Sequence, residues 1–168
     1  MGAWHGWRNE IGIKSQKGYY KNRLKRRRIM KYILLISHAT LAKGVYEAAQ
    51  MIYGGLSHVD YICLEQGMGI EDFKKKLGEK IDAICTFEEI IVLADLMGGS
   101  PYNTSVSLLV EKELSDKVKI ISGLNLPLLL ITLFEQEKFE DEPLEKIIQT
   151  ARDGINLFKI EADDEEEL

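Results

Sequence analysis

The stretch Tyr32–Gly44, with the sequence YILLISHATLAKG, decides the fold. An apolar run of strand length comes first, and it ends just before His38. From Leu41 onwards the apolar residues recur at helical spacing, and the pair Gly54–Gly55 marks the end of that helix. A buried strand that leads directly into a helix is the repeating unit of a parallel α/β sheet.

The same unit of strand and helix recurs along the chain. The pattern predicts strands at 32–36, 59–64, 89–94 and 117–122. It predicts helices at 41–53, 70–85, 100–114, 127–134 and 143–154. Because the strands are continuous apolar runs, we expect a doubly wound, mainly parallel α/β sheet with helices on both faces. The alternating segment Ile155–Ala162 is predicted to add a carboxyl-terminal edge strand.

With 168 residues, of which 45% are apolar and 29% charged, the chain has the composition of one soluble globular domain. Its longest strongly apolar run, Leu124–Phe134, contains Asn125 and Pro127 and falls short of the roughly 20 residues that span a bilayer. Cys63 and Cys85 lack the spacing of metal ligands. We therefore expect small buried thiols in a reducing cytosol, and neither a metal nor a cofactor.

The formal net charge of −5 hides an asymmetry along the chain. Residues 1–29 hold nine Lys or Arg and one acidic residue, whereas residues 30–168 hold 13 basic and 26 acidic residues. An acidic body is poorly suited to nucleic acid, whose binding depends on basic groups that neutralise phosphates. The chain is thus divided into a basic leader (1–29), one domain (30–162) and a solvated acidic tail (163–168).

The leader has no helical or strand periodicity, so we expect it to be disordered, and it lacks the apolar segment of a secretory signal. It could be a basic arm that touches a membrane surface or RNA, or only a solvated tail. We favour a third hypothesis, in which translation naturally starts at Met30 and the leader is translated upstream sequence. Arg26–Arg27 could be encoded by AGGAGG, a ribosome-binding run a short distance before Met30.

Polar residues follow the predicted strands at the carboxyl edge of the sheet, where open parallel sheets bind ligands. His38 follows the first strand, and Asp95 follows a central one. A histidine at a strand end is by itself often no more than a helix cap. A carboxylate that accepts a hydrogen bond from one imidazole nitrogen, however, fixes the tautomer and leaves the other nitrogen as a nucleophile.

The loop with the sequence GGSP is a candidate binding site for an anion. Gly98 and Gly99 let the backbone approach a ligand, and a helix that begins near Ser100 points unpaired N–H groups at it. Asn103 in that helix and Asn125 after the fourth strand are supporting candidates. A nucleophile, a carboxylate that orients it and an anion cradle are what phosphoryl transfer through an imidazole requires.

The segments ILLISHATLAKG, VLADLMGGSPYNTS and ISGLNLPLLLITL resemble the enzyme IIA component of the mannose-type bacterial sugar phosphotransferase system. The resemblance covers Lys31 to about Gly154 in the expected order and spacing. Its motifs DxxGGSPxN and GxNxPxL are specific together. It implies a doubly wound α/β fold and a homodimer that exchanges a carboxyl-terminal strand, for which Ile155–Ala162 is the candidate.

By this resemblance, His38 would take a phosphoryl group on Nε2 from the phosphohistidine of the general phosphocarrier HPr and pass it to a sugar-specific IIB protein. Asp95 would hold Nδ1, and Ser100 with neighbouring backbone N–H groups would cradle the phosphoryl oxygens. From their position beside the glycine loop, Met97 and Tyr102 are candidates for the surface that partners touch, with the core as the alternative for both. The protein would meet the membrane only indirectly, through the IIC/IID transporter. Some members continue into a fused IIB domain, whereas this chain stops at an acidic tail, so we expect a free-standing IIA.

Other functions stay open at this point. A related branch phosphorylates a nucleotide bound to dihydroxyacetone kinase, although the GGSPYN loop is more similar to the sugar branch. A non-catalytic regulatory module could hold an anionic small molecule at the same edge. A hydrolase built on Ser100 and His38 is disfavoured, because Pro101 follows the serine and no GxSxG motif is present.

Overall fold

The computed structural model of the protein describes residues 31–136 and 143–157. Strands and helices alternate along the chain, and two further helices follow the last described strand. The strands are β1 (Lys31–His38), β2 (Val59–Leu64), β3 (Glu89–Ala94) and β4 (Val118–Ser122). The helices are α1 (Leu41–Tyr53), α2 (Ile70–Ile84), α3 (Ser100–Glu111), α4 (Leu126–Gln136) and α5 (Leu144–Asp153).

The strands of the described sheet are all parallel and lie in the order β2-β1-β3-β4. From β1 the chain moves outwards to β2, and from β2 it crosses back over β1 to form β3 on the other side. The direction of winding therefore reverses between β1 and β3, which opens a crevice at the carboxyl ends of these two strands. The doubly wound α/β fold predicted from the sequence is confirmed.

The residues of β1 alternate between two cores on opposite faces of the sheet. Ile33 and Leu35 are buried in the core that includes residues of α1, α4 and α5. Leu34 and Ile36 are buried in the core that includes residues of α2 and α3. Because both faces are covered, the strand is an unbroken apolar run. By the same alternation, His38 at the end of β1 belongs to the face that α3 covers.

The end of α3 differs from the prediction for a physical reason. The helix ends at Glu111 and not at Leu114, because Glu113 adopts a left-handed backbone (φ 55°). The N–H of Leu114 then donates to the carbonyl of Leu109 (2.9 Å). This is a helix-terminating Schellman motif in which a glutamate takes the position usually occupied by glycine.

The predicted edge strand at 155–162 is described only in part. Residues 155–157 have no regular structure, and residues 158–162 lie outside the described part of the chain, so strand exchange stays a prediction. The predictions for residues 1–30 and 163–168 also fall outside the described residues. Within residues 31–136 and 143–157, no helix has the length and apolar character needed to cross a membrane. Cys63 is buried as predicted, whereas Cys85 is half-buried.

Candidate functional site

His38 and Asp95 lie at the carboxyl edge of the sheet, at the ends of the neighbouring strands β1 and β3. Ile36 is paired with Ala94, the last residue of β3, and the N–H of Asp95 donates to the carbonyl of Ile36 (3.2 Å). On its other side β1 stays paired with β2 as far as His38 opposite Leu64, so the histidine is the last residue of a longer strand than predicted. The two side chains therefore meet at the switch point of the sheet.

The carboxylate of Asp95 accepts hydrogen bonds from both the backbone and the side chain of His38. Its Oδ2 accepts the backbone N–H of His38 (2.8 Å) and lies 2.9 Å from Nδ1 of the imidazole. Its Oδ1 accepts the backbone N–H of Leu96 (2.8 Å). The Asp95 side chain is 10% exposed, and its two partly buried bonds to His38 hold the strand end and the ring together.

The contact with Asp95 determines which imidazole nitrogen is available for chemistry. A carboxylate oxygen only accepts hydrogen bonds, so in the neutral ring the proton lies on Nδ1 and the lone pair lies on Nε2. The His38 side chain is 43% exposed, so the ring is accessible from outside the domain. Nε2 of His38 therefore has the lone pair and the access from solvent that a nucleophile needs.

The glycine loop after β3 packs directly against the imidazole. A Cβ atom at Gly99 would lie 2.7 Å from Cε1 and 3.5 Å from Nε2 of His38, so a larger residue at this position would displace the ring. Gly98 has a left-handed backbone (φ 74°), which glycine adopts without a steric penalty. Asn103 donates from Nδ2 to the carbonyl of Gly98 (2.7 Å) and so ties the loop to α3.

The amino terminus of α3 lies next to Nε2, because its cap residue Gly99 touches the ring. The N–H groups of a first helical turn have no acceptor within the helix. Since Pro101 has no N–H, Ser100 and Tyr102 supply these donors, and the Ser100 side chain is exposed. A helix terminus of this kind favours an anion by roughly 0.3–1 kcal/mol. Of the residues predicted to form an anion cradle, Gly99 thus lies beside the imidazole.

Two residues named from the sequence make other contacts. Asn125 follows β4, and its Oδ1 accepts the N–H of Leu128 (2.8 Å), so this oxygen caps the first turn of α4. Tyr102 packs against the core between the sheet and α2 and α3, which leaves it a small part in any partner surface. Across the described ranges, no group of His, Cys, Asp and Glu side chains is arranged to hold a metal ion.

Exposed apolar side chains lie on the two segments that follow His38 and Asp95 in the sequence. Met97 is 70% exposed and Leu96 is 60% exposed in the loop after β3, and Leu41 is 47% exposed at the start of α1. Leu41 and Leu96 were not predicted to belong to the site, because an apolar residue beside a strand or helix is usually assigned to the core. Large apolar side chains that stay exposed on the segments carrying such a site are typical of a contact surface for another molecule.

An oriented histidine at the switch point of a doubly wound sheet, with a helix amino terminus beside its free nitrogen, defines an α/β protein suited to carry an anionic group. A family model described as "PTS system fructose IIA component" (EIIA-man) matches residues 32–149. The chain belongs to this family, the mannose-type IIA components of the phosphotransferase system. The resemblance found in the sequence is confirmed.

Individual relatives agree with the family match. The chain is 27% identical over 129 residues to the mannose-specific EIIAB component of Escherichia coli K12. The matched region covers 76% of the chain but only 39% of that longer protein. It is 34% identical over 98 residues to the sorbose-specific EIIA component of Lacticaseibacillus casei, covering 58% of the chain and 68% of that protein. The crystal structure of a PTS IIA protein associated with the fucose utilization operon of Streptococcus pneumoniae has 30% identity and a TM-score of 0.69, over 77% of the chain and 93% of that structure.

We expect Gly99→Ala to lower the free energy of unfolding by about 1–3 kcal/mol, because the added methyl group would overlap the imidazole. Urea denaturation measures this cost. The matched control is the double variant His38→Ala/Gly99→Ala, in which the ring is gone and most of the cost should disappear. An equal cost in both backgrounds would show that something other than the imidazole restricts the loop.

Proposed function

We propose that the protein is a phosphohistidine carrier of the sugar phosphotransferase system, which accepts a phosphoryl group on Nε2 of His38 from HPr and passes it to a IIB protein. The observation that carries the proposal is the contact between Nδ1 of His38 and the Asp95 carboxylate (2.9 Å), which leaves Nε2 free beside the start of α3. Membership of the IIA family supports it. Relatives named for mannose, sorbose and fructose support a sugar as the final acceptor.

The transfer forms one phosphorus–nitrogen bond and breaks another. The Nε2 lone pair of His38 attacks the phosphorus of the donor phosphohistidine, the donor's phosphorus–nitrogen bond breaks, and its electron pair stays on the donor ring. The Nδ1 proton remains between His38 and Asp95, and the carboxylate offsets the positive charge that the ring gains. Transfer to IIB is the same step, with the acceptor's nucleophile attacking and Nε2 of His38 as the leaving group.

The start of α3 suits the phosphoryl group on Nε2. The first-turn N–H groups of Ser100 and Tyr102 and the Ser100 hydroxyl are donors for the phosphoryl oxygens. Gly98 and Gly99 carry no side chains that would keep the backbone away from the anion. Because these donors are fixed before the reaction, they stabilise the charge of the transition state without a cost of reorganisation.

The exposed apolar side chains of Leu41, Leu96 and Met97, here called the apolar rim, are the surface that we assign to both HPr and IIB. Each partner must bring its own reactive group to the same Nε2, so each must cover the same rim. A half-exposed ring, with exposed apolar side chains on the segments that follow His38 and Asp95, suits a protein partner better than a small molecule, whose sites are concave and bury most of the ligand.

Further expectations belong to the same proposal. The protein acts in the cytoplasm as a homodimer that exchanges the strand at 155–162. It meets the membrane only through the IIC/IID transporter. The sugar itself is bound elsewhere in the system, because this site receives and returns only the phosphoryl group.

Incubation with phosphoenolpyruvate, enzyme I and HPr should add one acid-labile phosphoryl group, which intact-mass measurement before and after acid treatment detects. His38→Ala should take up none and should keep its circular dichroism spectrum, because the ring is half-exposed. Phosphate that persists on His38→Ala would refute the assignment of the nucleophile. A wild-type protein without an adduct, beside active enzyme I and HPr, would favour the kinase-linked branch or the anion-binding module.

Asp95→Asn should slow single-turnover phosphorylation by HPr at least about 100-fold while the protein stays folded. The amide NH2 must face either Nδ1 of His38 or the N–H of Leu96, so it cannot replace all the acceptors of the carboxylate. When it faces Nδ1 it favours the proton on Nε2, which removes the nucleophilic lone pair. An unchanged rate would show that Asp95 does not orient the ring.

Asp60→Asn is the matched control for this variant. Oδ1 of Asp60 accepts the N–H of Tyr61 (2.8 Å) in the same way as Oδ1 of Asp95 accepts that of Leu96. Asp60 lies on the edge strand β2 opposite Leu34, well before the end of β1. A comparable loss of rate in Asp60→Asn would attribute the effect to general destabilisation.

Met97→Ser should raise the KM for HPr and the KM for IIB about tenfold each, since truncating an apolar contact at an interface often costs that much. The kcat values should change little, because Met97 is outside the reacting atoms. Met51→Ser is the control, because Met51 is 90% exposed but lies near the end of α1, away from the carboxyl edge of the sheet. An increase for one partner alone would show that HPr and IIB use different surfaces.

A further inference from the structure

Ser37, the residue before His38, has a fully buried side chain that the proposed transfer does not use. Its Oγ accepts the backbone N–H of Ala42 in α1 (2.8 Å) and donates to Sγ of Cys63 in β2 (3.9 Å). A buried hydroxyl of this kind is satisfied by its neighbours and in turn holds them. Ser37 therefore links the end of β1 to the first turn of α1 and to β2.

The bond from Ala42 takes the place of a usual helix cap. Thr40 precedes α1 but makes no side-chain cap hydrogen bond, so Ser37 satisfies the first-turn N–H of Ala42 instead. The short connection between strand and helix is thereby closed into a tight turn. Within this turn Ala39 has a left-handed backbone (φ 45°), which is strained for a residue with a Cβ, and its N–H donates to the carbonyl of Leu64 (2.9 Å).

Alternation along β1 points Ser37 and His38 towards opposite faces of the sheet. Ser37 lies on the face covered by α1, to which it is hydrogen-bonded. His38 lies on the other face, with Asp95 and the cap residue Gly99 of α3. The last residues of the strand are thus held from both faces of the sheet. Loss of the Ser37 hydrogen bond would remove the contact on the α1 face.

We infer that Ser37 is a positioning residue for phosphoryl transfer, whose hydroxyl fixes the turn between β1 and α1 and thereby keeps Nδ1 of His38 on Asp95. This inference rests on the proposed function. Without the hydroxyl, the strained turn at Ala39 is free to relax. The backbone and the ring of His38 then move together, because both bind the same Oδ2 of Asp95.

Ser37→Ala should lower the single-turnover rate of phosphorylation by HPr about tenfold, since displacements of about 1 Å at reacting groups can cost this much or more. Ser37→Thr, which keeps the hydroxyl, should recover most of the rate. Nitrogen NMR of the imidazole is a readout that does not depend on transfer. The wild-type ring should show the proton on Nδ1, and Ser37→Ala should show a mixture of both tautomers.

Thr132→Val is the matched control, because Thr132 is also buried and its hydroxyl donates to a backbone carbonyl, that of Leu128 (2.7 Å), in α4. A wild-type rate with unchanged imidazole signals in Ser37→Ala would overturn the inference and leave the proposed function intact. An equal loss of rate in Thr132→Val would also overturn it, as a general effect of removing a buried hydroxyl.

Ser37→Cys covers the case in which Ser37→Ala does not fold, because a thiol of similar size keeps a weak hydrogen-bonding group. The phosphorylation rate of Ser37→Cys should lie between the wild-type rate and a rate about tenfold lower, with a partial change of the imidazole NMR signals. A wild-type rate and wild-type signals in Ser37→Cys would contradict the inference. Failure of the wild type to be phosphorylated would count against the proposed function, and the NMR measurement would then decide on the positioning by Ser37 alone.

Discussion

The carboxylate of Asp95 is the group on which the site depends. Its Oδ2 binds both the backbone N–H and the ring of His38, so the ring cannot turn away without weakening the connection between β1 and the loop after β3. Its Oδ1 is taken up by Leu96, which prevents the carboxylate from rotating. Because Asp95 is nearly buried, leaving any of these contacts unmade would be costly. The position of Nε2 therefore follows from the backbone and not from a freely rotating side chain.

The winding of the sheet brings the parts of the site together. The winding reverses between β1 and β3, so the loops after these two strands lead to opposite faces of the sheet, and the imidazole lies at the carboxyl edge where the strands end. Alternation along β1 directs His38 to the face where α3 begins and Ser37 to the face where α1 begins. The histidine at the end of β1 and the loop that carries both Asp95 and the start of α3 are thus distant in sequence but adjacent at one edge of the sheet.

Much of the fold follows from local patterns, whereas the missed features depend on an unusual backbone conformation or on contacts between segments. The bounds of α1, β2 and β3 agree with the predicted ones, because both strands are apolar runs and Gly54–Gly55 ends the helix. The predicted end of α3 was wrong because Glu113 adopts a left-handed backbone conformation, which is usually found at glycine. The meeting of His38 and Asp95 was predictable from strand ends. The need for glycine at position 99 was not predictable, because it depends on where the imidazole of His38 lies.

A carrier must release its phosphoryl group as readily as it accepts it, and the geometry of this site suits that requirement under the proposed function. The terminus of α3 stabilises an anion only modestly, by roughly 0.3–1 kcal/mol, and its donors are few. The strong contact of the site acts on the other nitrogen, where Asp95 binds Nδ1. Holding the ring firmly and the phosphoryl group weakly keeps Nε2 in place for two successive partners. It also avoids a deep minimum at the phosphorylated state, which would slow the second transfer.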